Sequence, residues 1–262
     1  MRRTTLATLC LASTAVLTAC GSPAGKDRDT ESAGTGSATA RAGSPRAAGS
    51  GEPFPDMSAR QILMKAQEAT LGAPSLHFKG TMTEGGQHIG LDITRDDRRN
   101  CVGSMTMEGM GTTEFIMNSQ ALYRKYDDKM LRAQAEKDPE NARTADALRG
   151  NWVKSRAKGD DAKKLRVVCD FPLTFSDLAG ESPRRGTKTS VGGKPAYSLT
   201  ILDGVNRATL HVSSEGEPGL LRVETAVTGV GEFDLAFTVS DRPVRAGAPA
   251  DQKIIDVSRS GS

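Results

Sequence analysis

The sequence predicts an α+β domain in which a large, curved antiparallel sheet wraps around a few helices. Segments in which apolar residues alternate with polar ones, as on half-buried strands, recur in both halves of the chain. Helical periodicity appears where the domain begins and again midway. About ten strands are expected, and an open sheet of that size curls and leaves a concave apolar face for the helices to cover.

The first 19 residues have the pattern of a secretory signal segment. A positive start, Met1-Arg2-Arg3, is followed by 16 uncharged residues, 4–19, fewer than the roughly 20 that a helix needs to cross a bilayer. The next stretch, Leu17-Thr-Ala-Cys20, resembles the bacterial lipobox. We therefore expect cleavage before Cys20 and a lipid on its thiol; the alternative is an ordinary signal segment with an incidental cysteine.

Residues 20–57 are predicted to form a lipidated, disordered linker. Between Gly21 and Pro55 nearly every residue is Gly, Ser, Ala, Thr, Pro or charged, and Phe54 is the only large apolar side chain. Such a composition buries too little apolar surface to offset the entropy of ordering. The linker would hold the folded domain, 58–258, about 30 to 35 Å from the outer face of the cell membrane.

The remaining cysteines and the charge restrict the environment and the partners. Cys10 lies in the signal segment, so Cys101 and Cys169 remain as an even pair in an exported chain, and a disulfide between them is expected. The alternative is two separate buried thiols. The formal net charge of +3 and the mixture of signs along the chain indicate no nucleic-acid partner. We expect a monomer whose partner is the membrane, through its lipid anchor.

The individual elements follow from periodicity and from turn residues. A helix is predicted at 58–71, because Ser58 and Gln61 have the spacing of a capping box. Strands are predicted at 76–82, 89–93, 101–107, 115–117 and 121–123, and again at 187–191, 196–202, 208–212, 220–227 and 233–239. Between the two sets, residues 127–149 are expected to be helical in two pieces, 152–153 a short strand, 160–164 a loop and 173–178 a small helix. Residues 254–257 could add a last edge.

Several local motifs within this order carry a family resemblance. They are Cys101-Val-Gly-Ser, Ala121-Leu-Tyr-Arg-Lys, Gly150-Asn-Trp-Val-Lys and Cys169-Asp. With the arrangement of tail, helix and two meanders, residues 58–258 resemble actinobacterial membrane lipoproteins of the LolA-like superfamily, of the LppX and LprG type. The resemblance implies a half-barrel sheet that carries acyl chains, lipoproteins or glycolipids across the envelope. Some relatives instead sense envelope stress.

A lipid carrier needs an apolar cavity that its own side chains leave unfilled, lined by groups that repack around different acyl chains. Methionine suits this lining because it is flexible and polarisable. The lining candidates lie on shared strand faces or in the central helices: Met105, Met107, Phe115, Met117, Leu122 and Met130. The alternative is that these residues form an ordinary filled core and that the domain is a protein-binding or sensory module of the envelope.

Enzymatic function is not expected. The chain has no Gly-x-Ser-x-Gly, no His-Glu-x-x-His, no calcium loop and no phosphate-binding loop, so neither a cofactor nor a metal site is predicted. The polar groups that could suggest catalysis are expected to be solvated: His77, His88 and His211, and the carboxylate pairs at 96–97, 127–128 and 160–161. Residues 183–188 form a basic cluster that is expected to be an exposed turn, with an anionic headgroup as its alternative partner.

Overall fold

The computed structural model describes residues 53–137, 140–172, 182–203, 206–227, 231–250 and 252–258. The predicted signal segment, 1–19, lies outside these ranges, as do residues 20–52 of the predicted linker and the predicted helix at 173–178.

The described ranges contain four helices and twelve strands. The helices are α1 (Ala59–Leu71), α2 (Asp128–Lys137), α3 (Glu140–Leu148) and α4 (Asp160–Asp170). The strands of the first half are β1 (Ser75–Glu84), β2 (Gln87–Asp96), β3 (Cys101–Met107), β4 (Gly111–Met117), β5 (Ala121–Tyr126) and β6 (Trp152–Arg156). The strands of the second half are β7 (Arg184–Val191), β8 (Lys194–Asp203), β9 (Asn206–Ser213), β10 (Leu220–Val227), β11 (Gly231–Ser240) and β12 (Ile254–Asp256).

All twelve strands form one open sheet in the order β12-β6-β5-β4-β3-β2-β1-β11-β10-β9-β8-β7. The two meanders meet in the middle, where β1 pairs with β11 in antiparallel register from Ser75 opposite Ser240 to Thr83 opposite Glu232. The predicted α+β class and the large sheet are confirmed, as are the helix at the start of the domain and the two helical pieces at 127–149. One edge differs from the prediction, because β12 pairs with β6 in parallel.

Helix α1 begins as the sequence predicts. The hydroxyl oxygen of Ser58 accepts a hydrogen bond from the Gln61 backbone N–H, and the Gln61 side chain accepts one from the Ser58 N–H. These two bonds satisfy N–H groups that the first turn of a helix leaves without partners. The capping box therefore explains why the helix starts here.

The predicted loop at 160–164 is wrong, because these residues form the first half of α4. Asp160 and Asp161 lie in its first turn, where carboxylates interact favourably with the helix dipole. Ala162, Leu165 and Cys169 are the buried positions and recur at helical spacing. Charged residues fill most of the positions between them, so this segment lacked an obvious apolar pattern.

Helices α1 and α4 cover the same face of the sheet, which we call the inner face. It carries Phe78, Ile93 and Phe115, all of which are buried in the main core cluster. Helix α1 packs on β7, β9 and β10, and α4 packs on β2. The predicted disulfide is present: Cys169 of α4 is bonded to Cys101, the first residue of β3, with 6.2 Å between the two Cα atoms.

A small second cluster lies on the opposite face, which we call the outer face. Its buried members, Ala121, Tyr123 and Trp152, belong to β5 and β6. The segment that follows β11 is hydrogen-bonded beside it, since Asn118 Nδ2 donates to the Ala246 carbonyl at 2.7 Å and Trp152 Nε1 donates to Gln252 Oε1 at 2.7 Å. These bonds direct the chain to the β6 edge, where β12 adds in parallel.

Arg185 fastens the start of the described chain to the sheet. Its guanidinium donates to the backbone carbonyls of Pro53, Phe54 and Met57, and it lies 5.1 Å above the centre of the Tyr197 ring. Phe54 and Met57 pack against the main core cluster. The expectation that Arg185 belongs to an exposed turn is wrong, because it is a half-buried residue of β7.

Candidate functional site

A cavity of about 340 Å³ lies on the inner face between strands β3, β4 and β5 on one side and helix α4 on the other. Ten residues line it: Met105, Met107, Thr113, Phe115, Arg124, Tyr126, Asp161, Lys164, Leu165 and Val168. Small-molecule sites in proteins typically measure about 300 to 1,000 Å³. The cavity is therefore at the lower end of the range for a ligand site.

The sheet wall of this cavity follows from the strand register. Met105 of β3 lies opposite Thr113 of β4, and Phe115 of β4 lies opposite Arg124 of β5. Directly opposed residues of antiparallel strands point to the same face. Successive residues alternate between faces, so Met107 joins Met105 on the inner side of the sheet.

The helical wall comes from one side of α4. Asp161, Lys164, Leu165 and Val168 are spaced at i, i+3, i+4 and i+7, which places them on one face of a helix. The disulfide from Cys169 ties this helix to the start of β3, one strand from the helix's contact with β2. The two walls are thus joined covalently at one end of the cavity.

Polar groups gather where β5 faces the first turns of α4. Arg124 Nη2 donates to Asp161 Oδ2 at 2.7 Å, and the Arg124 guanidinium lies 5.7 Å from the centre of the Tyr126 ring. Arg124 Nε is buried and has no hydrogen-bond partner among the described residues. The cavity is therefore mainly apolar along β3 and the middle of α4, and polar beside β5.

Tyr126 keeps its proton under ordinary conditions. Burial raises the pKa of its phenol above the usual value near 10, and Asp161 raises it further, while Arg124 opposes this change. At neutral pH the hydroxyl is thus an uncharged donor and acceptor beside the Arg124 guanidinium. This chemistry suits recognition of a polar head and supplies no strong base.

The structure brings together three of the six predicted lining residues. Met105, Met107 and Phe115 line the cavity. Met117 and Leu122 are fully buried members of the main core, and Met130 lies in α2, where its backbone approaches Gly111 so closely that a Cβ at Gly111 would collide with it. These last three residues do not line the cavity.

The α4 residues that form the helical wall were missed because the segment was predicted to be a loop. Leu165, Val168 and Cys169 follow Ala162 at helical intervals. This spacing was the available signal. No sequence motif indicated that Arg124 and Tyr126 would supply the polar groups of the cavity.

The three histidines lie on the outer face, away from the cavity. His77 Nε2 is 2.8 Å from Asp92 Oδ1, His88 Nδ1 is 2.9 Å from Thr83 Oγ1, and His211 Nε2 is 2.9 Å from Glu224 Oε2. The expectation of a solvated His211 is wrong, because only 13% of its side chain is exposed. Within the described ranges, His, Cys, Asp and Glu do not converge in groups of three that could hold a metal ion.

Two of the carboxylates expected to be solvated are structural. Asp96 is only 1% exposed, and it accepts hydrogen bonds from the backbone N–H groups of Asn100 and Val244. Asp127 accepts a hydrogen bond from the Met130 N–H at 2.7 Å in the first turn of α2, and another from the Thr112 N–H at 2.8 Å. Both residues connect elements of the fold rather than face an open site.

No protein-family model and no curated protein matches this chain. Solved structures that are similar include the lipoprotein LppX of Mycobacterium tuberculosis, at 15% identity and a TM-score of 0.47, covering 72% of this chain and 98% of that chain. Others are the Pseudomonas aeruginosa MucA/MucB complex (14%, TM-score 0.38, 76% and 64%) and an uncharacterized conserved protein from Thermus thermophilus (11%, TM-score 0.35, 76% and 99%). These values are too low to assign a family.

The helices bear on the question of a membrane span. Among the residues that the structure describes, no helix combines the length and the apolar character that crossing a bilayer requires. The longest of the four, α1, has 13 residues.

Proposed function

We propose that this protein is an extracytoplasmic lipoprotein, held at the outer face of the cell membrane by lipid on Cys20, that binds or carries a lipid or glycolipid. An acyl chain would lie in the cavity between β3, β4 and α4. Its polar head would lie beside Arg124, Tyr126 and Lys164. The one observation that carries this proposal is the methionine-lined cavity between the sheet and α4.

The cavity has the chemistry that an amphiphile needs. Met105, Met107, Phe115, Leu165 and Val168 offer an apolar wall on which each buried CH₂ contributes about 0.8 kcal/mol. The two methionines can change rotamer to fit chains of different shape. At the polar end, the Arg124 side chain is 22% exposed, so its guanidinium can donate to a phosphate, carboxylate or sugar oxygen.

Binding without bond making is the simplest function for this site. None of the ten lining residues is a histidine or a cysteine. The one lining carboxylate, Asp161, is paired with Arg124, and the one lining phenol, Tyr126, has a raised pKa. The cavity therefore offers no activated nucleophile of the usual types.

Copurification tests the ligand. The lipoprotein purified from its own membrane should show an added amphiphile mass in native mass spectrometry, and denaturation should release it. A Met105→Trp variant should lose the added mass, because the indole fills the cavity. Met64→Trp is the matched control, since Met64 is 52% exposed on α1. Equal ligand content in both variants, or none in the wild type, would contradict the proposal.

The anchor has its own test. A Cys20→Ser variant should leave the membrane fraction in a high-salt wash, because no thiol remains to receive lipid and salt screens contacts between charges. Cys10→Ser, a change within the predicted signal segment, should leave the protein in the membrane fraction. Firm membrane retention of the Cys20→Ser protein would show that something other than this thiol anchors the chain.

A protein-binding module is the second candidate. Strand β7 lies at one end of the sheet, pairs only with β8 among the described strands, and has mostly exposed side chains. Such an edge can accept an extended segment of a partner. A photo-crosslinker at exposed Thr189 should then capture a protein, and one at exposed Lys65 should not. Capture at Thr189 together with no copurifying lipid would favour this candidate.

A further inference from the structure

A second groove, of about 600 Å³, runs along the other flank of α4. It lies between the turns that follow β2 and β4 and the loop that precedes α4. Five of its lining residues are cationic, namely Arg98, Arg99, Lys158, Lys163 and Arg166, and none of the described residues that line it is acidic. The groove therefore concentrates positive charge on a chain whose formal net charge is only +3.

The nearby carboxylates of α4 do not neutralise this groove. Asp161 is paired with Arg124 at 2.7 Å, across the cavity on the other flank of the helix. Asp170 lies 3.6 Å from Arg95, a buried arginine of β2. Asp160 pairs with Lys163 at 2.9 Å, but both side chains are largely exposed. An exposed ion pair of this kind contributes little stabilisation.

The fold holds like charges together in this groove. Arg166 donates a hydrogen bond to the backbone carbonyl of Arg99, so both residues are kept at the same wall. Burial lowers the pKa of the Arg166 guanidinium; Asp170 opposes this, and the neighbouring Arg99 and Arg95 add to it. An anionic partner would offset this repulsion, which makes the groove a favourable site for negative charge.

An exposed aliphatic side chain stands beside these cations. Val167 of α4 is 71% exposed, the largest value among the exposed large hydrophobic residues of the described chain. Lys163, Lys164 and Arg166 precede it within one turn. An apolar side chain surrounded by Lys and Arg on a helix is typical of surfaces that bind anionic lipid interfaces.

We propose that this surface docks on an anionic phospholipid bilayer. We call it the basic α4 surface, formed by Arg98, Arg99, Lys158, Lys163, Arg166 and Val167. A bilayer presents phosphate groups over an apolar layer, which matches the five cations and the one exposed valine together. The opposite flank of α4 lines the cavity, so docking would hold the cavity about 10 Å, one helix diameter, from the bilayer surface. The docking goes beyond the proposed ligand function and does not require an occupied cavity.

Vesicle binding tests this docking. The full chain with Cys20→Ser, which has no acyl chain, should bind mixed phosphatidylcholine and phosphatidylglycerol vesicles more tightly than pure phosphatidylcholine vesicles. The preference should fade as salt shortens the Debye length from about 30 Å to about 3 Å. A triple variant, Arg98→Gln with Lys158→Gln and Lys163→Gln, should bind about a hundredfold more weakly, because each surface cation contributes roughly fivefold.

A second triple variant controls for net charge. Arg60→Gln with Lys65→Gln and Lys194→Gln removes the same charge from exposed positions on α1 and β8. It should bind almost as tightly as the parent chain. Equal losses in the two triple variants, with both proteins folded by circular dichroism, would overturn the proposal, as would a parent chain that shows no preference for anionic vesicles.

The valine and a soluble anion complete the test. Val167→Ser should weaken binding several-fold at high salt, where the apolar contact remains, and Val239→Ser, at a valine that is 47% exposed, should not. At equal ionic strength, inorganic phosphate should release no more protein from the vesicles than chloride does. If phosphate binds the groove while anionic vesicles do not, the surface is a site for a soluble anion and the membrane proposal is wrong.

Discussion

The two halves of the sheet hold their helices in different ways. In the filled half, α1 packs on β7, β9 and β10, and Ile62, Leu63 and Ala66 are fully buried. In the cavity half, α4 buries only Ala162, Leu165 and Cys169, and a disulfide ties it to β3. The comparison teaches that packing alone holds α1 over the sheet, whereas α4, which has space beneath it, is held by less packing together with a covalent link.

This difference has an energetic basis. A fully buried aliphatic side chain contributes about 1.5 to 3 kcal/mol, so α1 is held by its apolar stripe alone. Helix α4 has a shorter stripe, and part of its inner side faces the cavity. Closing a loop of 68 residues with a disulfide contributes about 4 kcal/mol in the chain-entropy account. The disulfide thus offsets the stabilisation that α4 lacks because it buries fewer apolar side chains than α1.

Removing the disulfide should have the largest effect. Cys101→Ala with Cys169→Ala should lower the free energy of unfolding by about 4 kcal/mol, because the unfolded chain loses its long constrained loop. Denaturant unfolding measures this change. Wild-type protein unfolded with a reductant present should show the same loss, and a loss below about 1 kcal/mol in both cases would mean that packing alone holds α4.

Truncating the filled half should come next. Leu63→Ala should cost about 3 kcal/mol, because it leaves a closed cavity beneath α1. The neighbouring Met64→Ala is the control, since this side chain is exposed and its loss should change stability by less than about 0.5 kcal/mol. Similar costs at both positions would show that α1 does not pack as described.

Truncating the cavity half should cost less. Met105 is only partly buried and already faces an open space, so Met105→Ala enlarges a cavity instead of creating one. We expect a loss of about 1 kcal/mol or less by denaturant unfolding. A cost equal to that of Leu63→Ala would contradict the contrast between the two halves.

The smallest effect concerns the outer face of β1 and β2, near the middle of the sheet. Hydrogen bonds from Lys79 and His77 lower the pKa of Asp92 below its usual value. The charged form therefore stabilises the fold above about pH 4, and this contribution is lost as pH falls through the lowered pKa. Asp92→Asn should cost a few tenths of a kcal/mol near neutral pH, since the group is well exposed.

Thermal melts at several pH values measure this dependence. The wild type should melt slightly above the Asp92→Asn variant near neutral pH, and the two should converge in acid. A difference that grows on acidification would contradict the assigned direction of the pKa change.

The sequence predicted the elements whose periodicity is complete. Helix α1 was predicted because its capping box and apolar stripe are unbroken, and the strands because their alternation is regular. The cavity was beyond such patterns, because Met105 lines it while Met117, on the neighbouring strand and the same face, is fully buried. The difference between them depends on where α4 crosses the sheet, which strand periodicity does not encode. The parallel pairing of β12 likewise depends on the paths of residues 241–250 and 252–253.

The hydrogen bonds that Arg185 donates to the start of the described chain have a mechanical consequence. Any tension on the N-terminal segment reaches the guanidinium, which holds three carbonyl groups of that segment, before it reaches α1. Arg185 belongs to β7, which is hydrogen-bonded to β8, so the load passes to the hydrogen bonds between these two strands. A pulling force on this segment would thus load the edge of the filled half and leave α1 packed on the sheet.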